Sequence, residues 1–434
     1  MITGTNESKS IFLEPPFQYV PVAPLDISGS DNLISAVLGD LKARRDNVVN
    51  GGINCIPWPF PRFRIEIPGI EQEQYVVITA SEKCGKSQFC SFVYLYHVLD
   101  YAFEHRDQCS VHIIYFALEE SIQRIIHRYM SYLLWKFDGE RIPPTDLRST
   151  SADYPLPEEI LDKLNSDKYQ ERLKFFEENV QFETEDTNPT GILRVCEDYA
   201  KSVGTYKSHK KKSRGNIDKD VEVFDSYVQN DKNHYKICII DHGGLIDLER
   251  GMTLKQSMDK MSEYIVKYLR NRYKFTIAWV QQQAMEAEGL EAIKQKRMTP
   301  TVATLGDTKY TARDANLVIS LFDPSRFGLS SWLEYAIDGP DHNGLQNFAR
   351  FMKVERGRDG EQGGVCPLFF DGAVCNFEEL PTPDNVNAVA QYYARVKNNK
   401  SYRQQRKKQM LTSTVLLILR KIFKHNEIED LQSD

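Results

Sequence analysis

Short apolar runs alternate along this chain with longer stretches whose apolar residues recur every three or four positions. The runs are YVVITA from Tyr75, VHIIYFA from Val111 to Ala117, ICII closing on Asp241, TIAWV ahead of Gln281, and LVISLF, followed by FARFMKVERG and VCPLFFD. The first five are almost wholly apolar, with no polar alternation, as strands buried on both faces of a parallel sheet must be. Between them lie helical patterns, among them Phe89, Phe92, Val93, Leu95, Tyr96 and Leu99, and later Met258, Met261, Ile265, Tyr268 and Leu269. Strands alternating with helices predict an α/β fold with a mainly parallel central sheet flanked by helices.

The pattern weakens in three places. Residues 1–27 are Pro-rich and irregular, and one isolated amphipathic helix follows within 31–50, with Leu33, Ile34, Val37, Leu38 and Leu41 at helical spacing. That helix packs either on its own domain or on an adjacent subunit. Residues 138–233 read as an insertion-containing region: a helix near Lys168–Glu178, a strand at Val180–Thr184 and a helix from Thr190. A mobile loop is expected across the basic run Lys207–Arg214. Residues 381–434 form a tail with a second basic run from Arg395 to Lys408 and an apolar helix beyond it. The expected organisation is an arm and helix over 1–50, one α/β domain over 51–380 and a tail over 381–434.

The chemistry gathers at the ends of the strands. YVVITA runs through Ala80, Ser81, Glu82, Lys83, Cys84, Gly85, Lys86, Ser87 and Gln88 into a helix. Strand, small-residue loop and helix is the setting of a phosphate-binding P-loop, whose backbone N–H groups and helix N-terminus face a polyphosphate. Lys86 then reaches the β- and γ-phosphates, and the Ser87 hydroxyl is a ligand for Mg²⁺. The first glycine of the usual string is replaced by Ala80. Asp241 ends a buried strand, where a carboxylate holds the same ion. Glu119 and Glu120 end the strand before it; either polarises an attacking water, or both decorate a helix's first turn. A glutamine among Gln281, Gln282 and Gln283 senses the γ-phosphate, or all three are surface amides.

Composition narrows the class without choosing the function. In 434 residues with 41% hydrophobic content, no apolar run reaches the roughly 18 residues of a membrane span. The chain reads as soluble, intracellular and without a membrane partner. Eight cysteines form no C-x-x-C pair, so neither a disulfide framework nor a zinc site is indicated. The net charge of −6 does not advertise nucleic-acid binding, but a DNA channel needs only local positive charge.

Taken in order, FALEES, ENVQFETEDTNPTGILRV, IIDHGGLID, WVQQQ, TARDANLVISLF and VERGRDGEQGG resemble the ATPase domain of DnaB-type replicative hexameric DNA helicases, RecA-like P-loop ATPases. The resemblance covers about 51–380, and alanine at the start of the P-loop is common in that family. It implies Glu119 as catalytic base, Gln282 as the sensor glutamine, and Arg356 and Arg358 as a basic residue and an arginine finger acting on a neighbour's nucleotide. Arg356 stands where lysine is usual, and both arginines also read as plain exposed charges. The family's DNA-contacting loops map near Arg250, Lys255, Arg297 and Lys309. ATP with Mg²⁺, single-stranded DNA, a hexameric ring and a primase or helicase loader are the implied ligands and partners, and the isolated helix becomes the linker that docks on the adjacent subunit. The family's primase-binding N-terminal domain has no counterpart ahead of residue 31, which fits a phage or plasmid replication system acting in the host cytoplasm. The alternatives are a RecA-class recombinase or helicase loader, and a non-hydrolysing ATP-binding DNA scaffold.

Overall fold

The computed structural model describes residues 30–150, 155–213, 216–284, 294, 298–339, 343–358, 360 and 363–399. It divides into two units, Met1–Asn54 and Cys55–Asp434. The first contains helix α1, Ser30–Val49. Its apolar stripe is exposed: Ile34 is 63% accessible, Val37 50%, Leu38 60% and Leu41 57%. The Asn47 side chain closes the turn beyond the helix by donating to the Ile53 carbonyl at 2.8 Å, and the Asn54 amide returns to the Arg44 carbonyl.

The second unit is built on one sheet. Its strands are β1 Tyr75–Ala80, β2 Ser110–Ala117 and β3 Val180–Glu183, then, after a separate ribbon of β4 Gly204–Ser213 and β5 Asn216–Gln229, β6 His234–Asp241, β7 Thr276–Gln282 and β8 Leu317–Phe322. β9 Ala349–Gly357, β10 Val365–Asp371 and β11 Asn376–Glu379 complete it. Nine strands lie in the order β11-β10-β9-β8-β1-β7-β6-β2-β3. The six from β8 to β3 are parallel and the three from β9 to β11 are added antiparallel. The apolar runs are buried as their composition demands: every residue of β1 and of β8 is buried. Trp279, Phe275, Tyr75, Met258 and Ile265 pack in one buried cluster between the sheet and the helices that cross it.

Helix α2 starts at Lys86–Ser91, widens into a π-helical stretch over Phe92–His97 and ends at Val98–Glu104. Helices α3 Ile122–Asp138, α4 Asp167–Asn179, α5 Pro189–Ser202 and α6 Leu254–Tyr264 follow, with the short α7 Tyr310–Asp314 ahead of β8. α5 has Pro189 at its first turn and is capped by the Asn188 side chain on the Gly191 N–H; α6 opens on a capping box between Thr253 and Gln256.

One expectation fails here. The basic run from Lys207 is no mobile loop: it is strand β4, paired residue by residue with β5 from Gly204↔Gln229 to Lys212↔Asp220 and closed at Ser213↔Asn216. Of the expected tail, a helix over 386–399 is described, and Arg395 on it makes a two-pronged ion pair with Glu378 at 2.7 and 2.9 Å. The apolar stretch around Val415–Phe423 lies outside the described residues. Among the described residues no helix is long and apolar enough to cross a membrane.

Candidate functional site

The parallel strands all finish at one edge of the sheet. Register sets Ala80 beside Gln282 on one side and Leu321 on the other, and sets Ala117 beside Asp241. Five residues chosen on separate grounds, Lys86, Ser87, Glu119, Asp241 and Gln282, are therefore neighbours although 196 positions separate the first from the last.

The P-loop turns on two left-handed residues, Lys83 at φ 57° and Gly85 at φ 96°. Gly85 meets a second constraint, since a Cβ there would stand 3.0 Å from the Phe370 ring. Only glycine fits this corner. Behind the loop, Arg350 of β9 donates from Nε to the Cys84 carbonyl at 2.7 Å, and its guanidinium pairs with Asp323 at 3.0 Å, both side chains 5% exposed. Cys84 itself is buried, its thiol pushed up to about 11 by desolvation, so it fills space and is no nucleophile. Glu82 and Lys83 point to solvent, with ends 3.6 Å apart. Lys86 is 7% exposed, yet among the described residues no carboxylate lies within ion-pair distance of it. Gln88 carries a buried Oε1 with no hydrogen-bond partner among the described residues.

Next to the loop, the Ser87 hydroxyl donates to Asp241 Oδ1 at 2.9 Å and the Tyr115 hydroxyl donates to Asp241 Oδ2 at 3.0 Å. Burial pushes the Asp241 carboxyl up to about 6, opposed by those two hydrogen bonds; Glu119 nearby raises it further and Lys86 lowers it. These residues fit a hard divalent cation. Two protein oxygens already touch at the mouth of the sheet, the acid lacks a full counter-charge, and Mg²⁺ typically takes one or two protein ligands with phosphates and water for the rest. His242 beyond it is held neutral by burial, with Nδ1 accepting the Gly244 N–H.

The paired candidates separate cleanly. Glu120 is bound to Arg128 of α3, while Glu119 is exposed and makes no ion pair among the described residues. Gln281 is fully buried; its amide donates to the Gly306 and Thr308 carbonyls at 2.6 and 2.8 Å and accepts from Thr311. Gln283 donates to the Thr79 hydroxyl at 2.8 Å. Gln282 alone of the three has a side chain without a partner among the described residues, and it sits level with Ala80.

Arg356 and Arg358 are elsewhere. Gly357 pairs with Leu317, which pairs with Val76, so Arg358 lies roughly 15 Å along the strands from the end of β1. Both are exposed, and they donate to carbonyls at the C-terminus of α7: Arg356 to Ala312, and Arg358 to Ala315 at 3.0 Å and Asp314 at 2.8 Å. Within this chain neither meets the P-loop. Of the loop cations, Arg250 and Lys309 are exposed, Lys255 pairs with Asp259 at 2.8 Å and faces the Tyr310 ring at 5.1 Å, and Arg297 lies outside the described residues. Asp259 also accepts the Thr308 hydroxyl, so the segments after β6 and β7 are tied together. The sequence reading missed Tyr115, Arg128 and Arg350. Tyr115 looks like any core aromatic, and Arg350 meets Cys84 across a sequence separation of 266.

No family model and no curated protein sequence matches the chain. Solved structures do. One, a DnaB-like replicative helicase described with its interactions with primase, is 14% identical with a TM-score of 0.55, over 81% of this chain and 69% of that one. Another, the ATPase domain of a second helicase, is 14% identical with a TM-score of 0.51, over 82% of this chain and 100% of that one. Nine strands in this order, a P-loop after β1 and an acid at the end of β6 thus give the chain the RecA-like P-loop α/β fold of DnaB-type helicase ATPase domains.

Proposed function

We propose that this chain is an ATP-driven DNA helicase motor that works as a ring on single-stranded DNA during replication. The observation that carries the reading is the gathering of Lys86, Ser87, Asp241, Glu119 and Gln282 at one sheet edge, with Lys86, Glu119 and Gln282 left without side-chain partners among the described residues. P-loop N–H groups and the α2 N-terminus bind the triphosphate of ATP, and Lys86 neutralises its β- and γ-oxygens. Ser87 and Asp241 hold Mg²⁺, which when bound supplies further neutralisation of phosphate charge. Glu119 accepts a proton from the attacking water, and Gln282 carries the presence or loss of the γ-phosphate into the segment 284–309.

Arg358, with Arg356 beside it, serves the nucleotide of a neighbouring copy. Its distance from its own P-loop supports this, because an arginine at that edge finds a phosphate only across a head-to-tail interface. A hexameric ring, docking of α1 on the adjacent subunit, DNA contacts from Arg250, Lys255, Arg297 and Lys309, and a primase or loader partner belong to the same reading.

The test is steady-state ATP hydrolysis by the full chain with and without single-stranded DNA, followed by strand separation. Stimulation by DNA, lost in Glu119→Gln, supports the motor. Tight nucleotide binding without turnover would move the reading to a switch or scaffold. Arg358→Ala should bind nucleotide normally and fail to hydrolyse in the assembled state; normal turnover there removes the trans role.

A further inference from the structure

We infer that the β4–β5 ribbon is a second nucleic-acid-binding element, taking the phosphodiester backbone of duplex DNA on the face that carries Lys207, His209 and Lys211. The ribbon is spare to the fold, since neither strand pairs with the nine-stranded sheet. Its base is nevertheless fixed. Tyr206 and Phe224 are 5.6 Å apart, the Arg272 guanidinium lies 4.0 Å over Phe224, and the Tyr227 hydroxyl donates to the Ala200 carbonyl at 3.0 Å. A ribbon rooted in this way projects its faces in set directions.

Strand alternation then sorts the charges. Tyr206, Ser208 and Lys210 share the rooted face, where Ser208 and Lys210 stand opposite Phe224 and Glu222. Lys207, His209 and Lys211 share the other, and Lys207 and His209 stand opposite Ser226 and Val223. A register shift between Lys207 and Ser208 leaves Asp225 extra, and Asp225 pairs with His209 at 2.6 Å. Lys207 and Lys211 are exposed and make no ion pair among the described residues. Residues 204–229 hold six Lys or Arg against four Asp or Glu, a local positive excess in a chain of net charge −6.

The form of the ribbon favours duplex over single strand. Two paired strands about 4.8 Å apart suit a major groove about 12 Å wide, which admits a two-stranded ribbon. Single strands are gripped by aromatic platforms, and from Thr205 to Lys211 the outward positions include no Phe, Tyr or Trp. The ribbon also leaves the sheet at the edge opposite the P-loop, because β5 ends at Gln229 just ahead of the first residue of β6, His234, while Asp241 ends that strand.

The experiment is a salt titration of a labelled duplex oligonucleotide against the full chain and the double variant Lys207→Ala with Lys211→Ala. The variant should lose about 2 from the slope of log affinity against log salt, at about 0.9 per phosphate contact. Lys207→Glu with Lys211→Glu should weaken duplex binding further, whereas Lys210→Ala should do less than either. Melting temperature, basal ATP hydrolysis and affinity for a single-stranded oligonucleotide should stay at wild-type values. An unchanged duplex slope overturns the proposal, as does an equal loss for single strand and duplex. Since ATP turnover is read separately, a failure here leaves the motor reading standing, and a failure of the motor leaves this one measurable.

Discussion

The two edges of the parallel sheet treat their polar side chains in opposite ways. At the edge where the strands end, Lys86 is nearly buried and Gln282 half-buried, and neither has a side-chain partner among the described residues. At the other edge Arg270, Arg356 and Arg358 are spent on the carbonyls and Asn316 amide around α7, and Tyr199 and Ser110 each take one nitrogen of His234 at 2.8 Å. Burying an ammonium is costly, and Lys86, unlike the buried Lys236 at the other edge, which donates to Gln229, has no side-chain acceptor among the described residues, so it marks where a ligand belongs. Exposed Glu119 loses little by being alone; nearly buried Lys86 carries the inference.

The sharpest break of that contrast is inside the carboxyl-end edge. Glu119→Gln should lower kcat for ATP hydrolysis by about 10²–10⁴-fold while leaving nucleotide affinity and melting temperature near wild type. Glu120→Gln should do the reverse, keeping turnover and losing stability through the freed Arg128. Equal turnover in the two variants would dissolve the distinction drawn from Arg128.

Arg350 tests whether the loop is held from behind. Replacing it with Met strands the buried Asp323 carboxylate and frees the Cys84 carbonyl, an effect of about 3–5 kcal/mol on unfolding in denaturant. Nucleotide affinity should fall with it, because the P-loop backbone loses its anchor; Arg350→Lys should recover part of the stability and less of the affinity, having no planar fork. An unaltered Kd for nucleotide in Arg350→Lys would limit Arg350 to stability alone.

These residues show where sequence reading stops. Wholly apolar strands and a glycine-lysine-serine loop announce themselves locally, because burial on both faces and phosphate binding each demand a composition within ten residues. Arg350 and Asp323 do not, since their partner is reached only after the sheet closes. The ribbon failed for another reason: Lys207 to Lys211 are all exposed, so that stretch has no apolar alternation and its lysines read as a solvated loop. Among three glutamines only the family resemblance points to Gln282; its register with Ala80 is a physical ground that no string of letters contains.

At the opposite edge the effect should be smaller and of the other sign. Lys236 is 1% exposed and donates to Gln229; desolvation, with Lys274 nearby, lowers its ammonium to about 7. The unfolded chain holds that proton up to about pH 10.4, so the cost of Lys236 grows as pH falls from about 10 to about 7 and is constant below. Lys236→Met should therefore stabilise by about 1–4 kcal/mol at pH 7, a gain that shrinks toward pH 10. A gain independent of pH would mean that packing, and not charge, is responsible.

The finest comparison is between adjacent glutamines. Gln281→Ala removes donors from the Gly306 and Thr308 carbonyls and an acceptor from Thr311, all buried, and should cost about 1–3 kcal/mol. Gln282→Ala removes a half-buried side chain that holds nothing among the described residues, and should change unfolding by no more than about 0.5 kcal/mol. Its effect should lie in coupling. If Gln282 reads the γ-phosphate, the variant hydrolyses ATP at an altered basal rate but loses the stimulation by single-stranded DNA, because the segment tied to Gln282 through the Gly306 N–H no longer feels the nucleotide. Full stimulation in Gln282→Ala would make its lack of partners an accident of the surface, and the contrast between the two edges would then rest on Lys86.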